Sequence, residues 1–274
     1  MLANFKRLAG LFEEAAFYFA INDSDDDSAA ILARWLADGR RGRLIDLGRV
    51  VDTVPVRCVR LANARNACLD AAKADGWGDA GHVIVADLDD VLAAPLDLEA
   101  FAAAAGFLDA EPKRAGVFPN ASPRYYDIWA LRHATWCSVD CWHLIWDREP
   151  SEPFEAAKIR EVLRRQIALP PGLAPIGVRS AFGGIGLYKG RFAMAARYAG
   201  LDAAGREVNE HLAFNEDIGR AGGTLYVVPR LMVTAPTEHL YRAADVGWRW
   251  RLAMLGVRMG EAISPPWKRL FGRF

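Results

Sequence analysis

The chain has 274 residues, 52% of them apolar and 25% charged, and its 34 Lys plus Arg are balanced by 34 Asp plus Glu. That length suffices for one large domain or two small ones with a substantial core. The composition is that of an ordinary globular protein, and the charge balance gives no electrostatic argument for a nucleic-acid partner. No run approaches the ~20 apolar residues of a membrane span, and Glu13 and Glu14 fall where a signal peptide would be apolar. Cys58, Cys68, Cys137 and Cys141 lack the spacing of a disulfide framework, which suits a reducing compartment, so a cytoplasmic location is expected.

Leu2, Phe5, Leu8, Leu11 and Phe12 are near helical spacing. "AAFYFAI" reads as a buried strand ending in the polar run "NDSDDDS", and "SAAILARWLADG" as a helix with Ser28 at its N-cap and Gly39 as its stop. "RLIDLG" is a second strand, "ANARNACLDAAKADG" a helix and "GHVIVADLDD" a third strand. This alternation predicts a parallel α/β sheet with right-handed crossovers. Beyond Pro95 come helix "DLEAFAAAAGFLD", strand "RAGVFPNAS", an aromatic segment over 123–147, helix "PFEAAKIREVLRRQI" and a Pro/Gly loop. "SAFGGIGLYKG" reads as a strand broken by its glycines, "NEHLAFNEDIGRAGG" as a helix, and "TLYVVPRLMVTA" as a strand pair bent at Pro229. No internal repeat or low-complexity linker interrupts the chain.

The third strand delivers Asp87, Asp89 and Asp90 within four residues. Open α/β sheets bind ligands beyond the carboxyl ends of their strands. Clustered carboxylates repel one another unless a cation offsets them, and oxygen-only ligands suit Mg²⁺ or Mn²⁺. The same letters also describe a solvated turn in which Asp89 or Asp90 caps the next helix. "DLDDVL" is similar both to the nucleophile motif of haloacid-dehalogenase-like phosphatases, with Asp87 attacking phosphorus, and to the DxD of nucleotide-sugar glycosyltransferases. The strand–helix units upstream of it, and Asp90 where the phosphatases usually have Gly, favour the transferase.

In order, "NDSDDDS", "ANARN", "DLDD", "YYDIWALR", "SAFGGIGLY" and "EHLAFNEDIGRAGGTLYVVPRL" resemble the motifs of a set of GT-A glycosyltransferases. These are the fungal capsule-associated α-1,3-mannosyltransferase family and its bacterial relatives, and the resemblance runs over about residues 1–241. It implies a Rossmann-like GT-A domain over 1–243, with a nucleotide-sugar-binding half at 1–95, an acceptor half at 96–243 and a basic aromatic tail at 244–274. Asn22 and Asp23 are implied to meet base or ribose, Arg65 a donor phosphate, and Asn66 to brace the neighbouring loop. Asp87, Asp89 and Asp90, with His239, are implied to hold the metal. Asp127 would bind sugar hydroxyls, Trp129 would stack on a pyranose, and Arg132 would meet phosphate or acceptor. Gly183 and Gly184 would let a sugar approach, and Glu210 beside His211 would accept the acceptor's proton, with Glu216 and Asp217 as competitors.

The activity implied is hexose transfer, mannose from GDP-mannose being the nearest case, from a nucleotide sugar to a glycan or lipid-linked acceptor. Two features depart from the family. Ile21 replaces a usual Glu, and the family's first strand, which precedes the helix beginning near Leu2, is missing. Either coding sequence upstream of Met1 supplies that strand, or part of the donor site is lost and the protein is a non-catalytic binding partner. Cys137, Cys141 and His143 have an unusual spacing for zinc, so buried thiols are expected. In the tail, Trp248, Trp250, Trp267, Phe271 and Phe274 interleave with Arg249, Arg251, Arg258, Lys268, Arg269 and Arg273. That pattern suits either contact with an anionic membrane face or a terminal helix packed on the domain.

Overall fold

A computed structural model of the chain describes residues 1–241 and 247–271. The expected boundary at 243/244, and Arg273 and Phe274, lie outside these. Strands β1 (Ala16–Ile21) and β2 (Arg41–Asp46) pair in parallel, Phe19 opposite Leu44, with α2 (Ser28–Ala37) crossing between them. Trp35 of α2 packs edge-on against Phe17 and Phe19 at 4.8 and 5.7 Å, which fixes the helix on the pair. The cap of α2 differs from expectation: Asp27 holds the N-cap position, and the Asp26 carboxylate accepts the Ser28 N–H at 2.9 Å. Gly39, at φ +74°, ends the helix as expected. Gly42 is required by close approach, because a Cβ there would lie 1.8 Å from the Phe17 carbonyl oxygen.

Helix α3 (Arg57–Ala72) begins at Arg57 rather than Ala62. The Glu207 carboxylate accepts its Cys58 N–H at 3.1 Å, so a side chain from the far end of the chain satisfies the first turn. The third strand, β3 (His82–Ala86), does not extend the β1–β2 pair. It belongs to a second, mixed sheet of order β3–β6–β4–β7–β5. There β6 (Ile185–Lys189) runs antiparallel to β3 and to β4 (Arg114–Ser122). Strand β7 (Thr224–Thr234) is parallel to β4, and β5 (Ile176–Val178), expected as loop, is antiparallel to β7. The expected all-parallel sheet therefore corrects to an α/β fold with a parallel two-stranded sheet and a mixed five-stranded one. The expected strand pair bent at Pro229 corrects to one continuous strand with a bulge at that proline. Pairing jumps from Pro119–Val228 to Asn120–Met232, and Asn120 donates to the Pro229 carbonyl oxygen inside that bulge.

Alternation along the central strands feeds two cores. Val117 and Leu187 face α4 (Leu98–Asp109), with its Phe101 and Leu108, while Phe118 and Tyr188 face the side of α8 (Glu210–Arg220), with its Phe214. Asp97 and Asp140 cap α4 and α5 (Cys141–Trp146) with paired bonds of 2.9–3.1 Å. The helix expected over 153–167 is shorter, α6 (Phe154–Glu161) followed by one tight turn at Leu163–Arg165. Short α7 (Gly190–Ala193) follows β6.

In the tail, α9 (Trp248–Ile263) buries Met254 against Ile159 and Leu163, and its Glu261 bridges Arg258 at 3.0 Å and Arg124 at 2.9 Å. The other side of α9 exposes Trp248, Leu252, Leu255, Met259 and Ile263 at helical spacing. Helix α10 (Pro266–Phe271) lays Phe271 against Trp136.

Helix α1 (Leu2–Ala9) buries Phe5, Leu8 and, unusually, Asn4. The Asn4 amide donates to the carbonyl oxygens of Leu92 and Ala94 and accepts the Leu96 N–H, at 2.7–3.0 Å, so α1 anchors the segment that follows the acidic cluster. Asn4→Leu leaves three backbone groups unpaired and is expected to lower the unfolding free energy by about 2–4 kcal/mol. Urea denaturation at an unchanged m-value checks this.

Candidate active site

The carboxyl end of β3 carries the acidic cluster, and residues from four other segments close on it. Arg65, on α3, is 12% exposed and bridges Asp87 at 2.7 Å and Glu210 at 3.0 Å. Its guanidinium lies 5.0 Å above the Phe182 ring and 5.7 Å from that of Tyr198. Burial alone would lower the Arg65 pKa; the charges of Asp87 and Glu210 reverse this and raise it above its ordinary value, so the cation is held permanently. Asp87 is fixed further by its backbone N–H, which donates to the Gly184 carbonyl oxygen at 2.9 Å.

Gly183 and Gly184, expected inside a strand, form the turn that enters β6, at φ +75° and +86°. Only glycine fits at 184, where a Cβ would lie 2.5 Å from Val91 Cγ1, in the turn just after the acidic cluster. The Gly183 N–H donates to Asp127 Oδ2 at 2.8 Å, and Oδ1 accepts from the Ala130 N–H at 3.3 Å. Even with these bonds the Asp127 carboxyl is raised to about 6, by burial first and then by the negative charges of Glu210 and Asp87. A group poised there exchanges a proton near neutral pH.

Asp89 lies exposed at the rim, and its Oδ1 accepts the Val91 N–H at 3.1 Å. The protein crowding it and then the charge of Asp87 raise its pKa, while His239 opposes the rise. The His239 ring is stacked on Tyr126 at 5.7 Å, within electrostatic reach of Asp89. Asp90 opens the turn Asp90–Leu92 and is exposed. Among the described residues no three His, Cys, Asp or Glu side chains are already gathered as a metal site. In this geometry Asp87 serves Arg65.

Several expected roles change. Arg132 is 4% exposed, ion-paired with Asp140 and bonded to the carbonyl oxygens of Trp129 and Leu131 at 2.8 Å, so it braces the interior and is not available to a phosphate or acceptor. Trp129 packs against Trp142 and Trp146 at 5.9 and 6.4 Å, in an aromatic cluster of its own. His211 is 1% exposed and stacked 3.6 Å from Phe182, with neither ring nitrogen bonded; burial and then Arg65 push its pKa well down. It is a neutral ring in the core. Glu210 is 3% exposed and ion-paired, which fits a brace for Arg65 better than a proton acceptor reached by a substrate.

Asn66 exchanges two 3.0 Å bonds with the Tyr198 backbone. Asp23, at φ +52°, accepts the Val50 and Val51 N–H groups at 2.9 and 3.0 Å, and Asn22 donates to it at 2.8 Å. These two join the loops after β1 and β2, and the Val51 bond foremost holds the Asp23 carboxyl below its usual range. Asp217 accepts the Arg197 N–H and pairs with Arg220, and Glu216 is exposed beside it. His143 turns its Nε2 to the Glu207 carbonyl oxygen at 2.9 Å, leaving Cys137 and Cys141 as buried thiols.

Phe182, Tyr198, Tyr126 and Asn215 were not singled out from the sequence. Asn215 is wholly buried, bonded to Ser180 Oγ, the Ala181 carbonyl oxygen and the Tyr188 hydroxyl, and fixes the glycine turn on α8. A polar residue one turn after buried Glu210 and His211, on an otherwise apolar helix face, was the available signal.

No model of a known protein family, and no curated protein, matches this chain.

The raised Asp127 pKa has a stability consequence. Its neutral form is favoured in the folded state, so its contribution is full below the unfolded pKa of about 3.9 and is lost as pH rises through about 6. Asp127→Asn removes that loss. Relative to the wild type, the variant is expected to gain up to about 2 kcal/mol between pH 4 and pH 7, read as the difference between paired urea titrations.

Proposed function

We propose that this protein is a metal-dependent glycosyltransferase of GT-A type, moving a hexose from a nucleoside-diphosphate sugar to a hydroxyl of a glycan or lipid-linked acceptor. One observation carries the reading. Acidic and basic residues from segments about 20 to 175 positions apart, all singled out by chemistry or resemblance, gather toward the end of one strand: Arg65, Asp87, Asp89, Asp127, Glu210 and His239. Supporting it are a glycine turn packed on the acidic loop and an α/β sheet arrangement compatible with a Rossmann-like fold.

The residues present fit Mg²⁺ or Mn²⁺. Asp87 and Asp89 offer carboxylate oxygens, and the Asp89 carboxyl, raised by burial first, is raised next by the like charge of Asp87, which a cation would relieve. When bound, such an ion supplies Lewis-acid stabilisation of charge on the departing diphosphate. Arg65 supplies a fixed positive charge facing the same mouth. Glu210 positions Arg65. Asp127 is the side chain suited to accept the acceptor's proton, being polarised by the Gly183 N–H and poised near neutrality. The phosphatase alternative needs Asp87 free to attack, whereas here it is held by Arg65 and by the Gly184 carbonyl.

The exposed stripe of α9 completes the reading. Five apolar side chains at helical spacing, with Trp248 at one end and Lys268 and Arg269 beyond the other, fit an anionic bilayer surface bearing a lipid-linked acceptor. Among the described residues no helix is long and apolar enough to cross a membrane.

Thermal unfolding with UDP, GDP, CMP and their sugar conjugates, each with Mn²⁺ or EDTA, tests the donor site. A donor at 100 times its Kd is expected to add about 2.7 kcal/mol. EDTA, or Asp89→Ala, removes the shift while unfolding stays cooperative. An unchanged shift in Asp89→Ala would sink the metal role, and binding without turnover of any acceptor would leave a sugar-nucleotide-binding protein. For the tail, sedimentation with phosphatidylglycerol vesicles is expected to fall at least ~10-fold in Leu252→Glu/Leu255→Glu, since each buried Leu contributes about 1.5–3 kcal/mol.

A further inference from the structure

Gln166 is 1% exposed and follows directly on the turn Leu163–Arg165. The segment around it is pinned at three points. The Trp136 indole N–H donates to the Arg165 carbonyl oxygen at 2.7 Å, the Tyr125 N–H to that of Ile167 at 2.9 Å, and the Asn120 amide to that of Leu169 at 2.9 Å. With its backbone fixed on both sides, the Gln166 side chain is aimed by the fold. Its Nε2 donates to the His239 carbonyl oxygen at 2.6 Å and to that of Tyr126 at 3.3 Å. Two carbonyl oxygens can be met only by the NH₂ edge of the amide, so they set which way the group faces. Oε1 is then buried without a partner, a cost that filling the space alone would not require.

The two residues held in this way form one wall of the candidate site. The His239 and Tyr126 rings are stacked, 5.7 Å apart and 5° from parallel. Burial first, and then the charges of Asp127, Asp89 and Asp87, push the Tyr126 hydroxyl well above its ordinary range, so the phenol faces the carboxylates. Through its backbone Gln166 also meets the tail. Its carbonyl oxygen accepts from Arg124 Nη1 and Arg258 Nη1, each at 3.3 Å, and Glu261 bridges both guanidinium groups. Two like charges converge on one oxygen because α9 brings the carboxylate that holds them together.

We propose that Gln166 is a positioning residue of the candidate site: its amide clamps the stacked His239–Tyr126 wall beside the carboxylates, and its carbonyl seats helix α9 against that clamp. The clamp acts on backbone carbonyls, so it leaves both rings to meet a ligand. It rests on the transferase reading only in taking a divalent cation as that ligand. Held from a fixed amide, His239 is within reach of Asp89 before a cation arrives, and the rim need not be ordered at the moment of binding.

Gln166→Met in the full chain keeps the length of the side chain and removes both donors. Mn²⁺ binding without nucleotide, counted from the free-ion signal in electron paramagnetic resonance, is expected to weaken ~10-fold or more, the usual scale for a group that orients a ligand. In the same samples the His239 ring protons, assigned with His239→Gln, are expected to lose most of the upfield shift that the Tyr126 face gives them. A lowered melting temperature with Mn²⁺ affinity and the His239 shift both unchanged would show packing alone, and overturns the proposal. Where the wild type binds no Mn²⁺ the metal reading fails, and the His239 shift alone decides the positioning. Gln166→Asn, one methylene short of the two carbonyls, is read in the same way should Gln166→Met not fold. Arg258→Met leaves the amide bonds in place and removes the bond from α9. It is expected to move both readouts in the same direction by less, and no movement of either overturns the part given to α9.

Discussion

Taking a guanidinium out of water costs several kcal/mol unless carboxylates receive it. Arg65 meets that cost with two, Asp87 at the end of β3 and Glu210 at the start of α8, and with the faces of Phe182 and Tyr198. Because none of these groups is near another in sequence, the ion pairs also fix three elements relative to one another. The helix carrying Arg65 is in turn capped from Glu207 and tied to residue 198 through Asn66, so the cation's position is determined from both ends of α3. Remove the guanidinium and two carboxylates are left facing one another in a partly dry mouth.

From that pairing the glycine turn acquires its purpose. Gly184 must lack a side chain because Val91 fills the space, and its carbonyl holds the Asp87 backbone while Gly183 holds Asp127. Two carboxylates, Asp87 and Glu210, thus receive one permanent cation, and Asp127 and Asp89 feel the charge of Asp87 beside them. Burial first, and then neighbouring negative charge, raise the Asp127 and Asp89 carboxyls, so desolvation and charge act in the same direction.

Local signals were legible where local physics decides. The strand before Asp87, the stop at Gly39 and the helix that opens at Asp97 follow from short patterns. What escaped was settled at long range. Helix α3 starts early because Glu207 caps it, and β3 leaves the parallel set because β6 pairs with it from a hundred residues downstream. Charge type did not reveal burial. The resemblance implied ligand roles for Arg132 and His211, yet Asp140 and Phe182 enclose them in the interior. Nothing in a linear sequence separates a charged residue that meets a substrate from one that meets a buried partner.

Asp87 is where these constraints intersect. It is the last anchor of β3, the partner of Arg65 and one of the carboxylates suited to a divalent cation. It cannot give the same oxygens fully to both charges. On the proposed reading, a cation bound with a diphosphate would come with negative charge of its own, so Arg65 would gain a phosphate partner while sharing Asp87. Such an exchange would keep the charge near balance, with Glu210, buried behind Arg65, still paired to the guanidinium. Asp89 and His239 are exposed at the rim, whereas Arg65, Glu210 and the glycine turn are tied by ion pairs and hydrogen bonds. A preorganised interior of that kind would let the site discriminate the charged end of a ligand without being rebuilt by it.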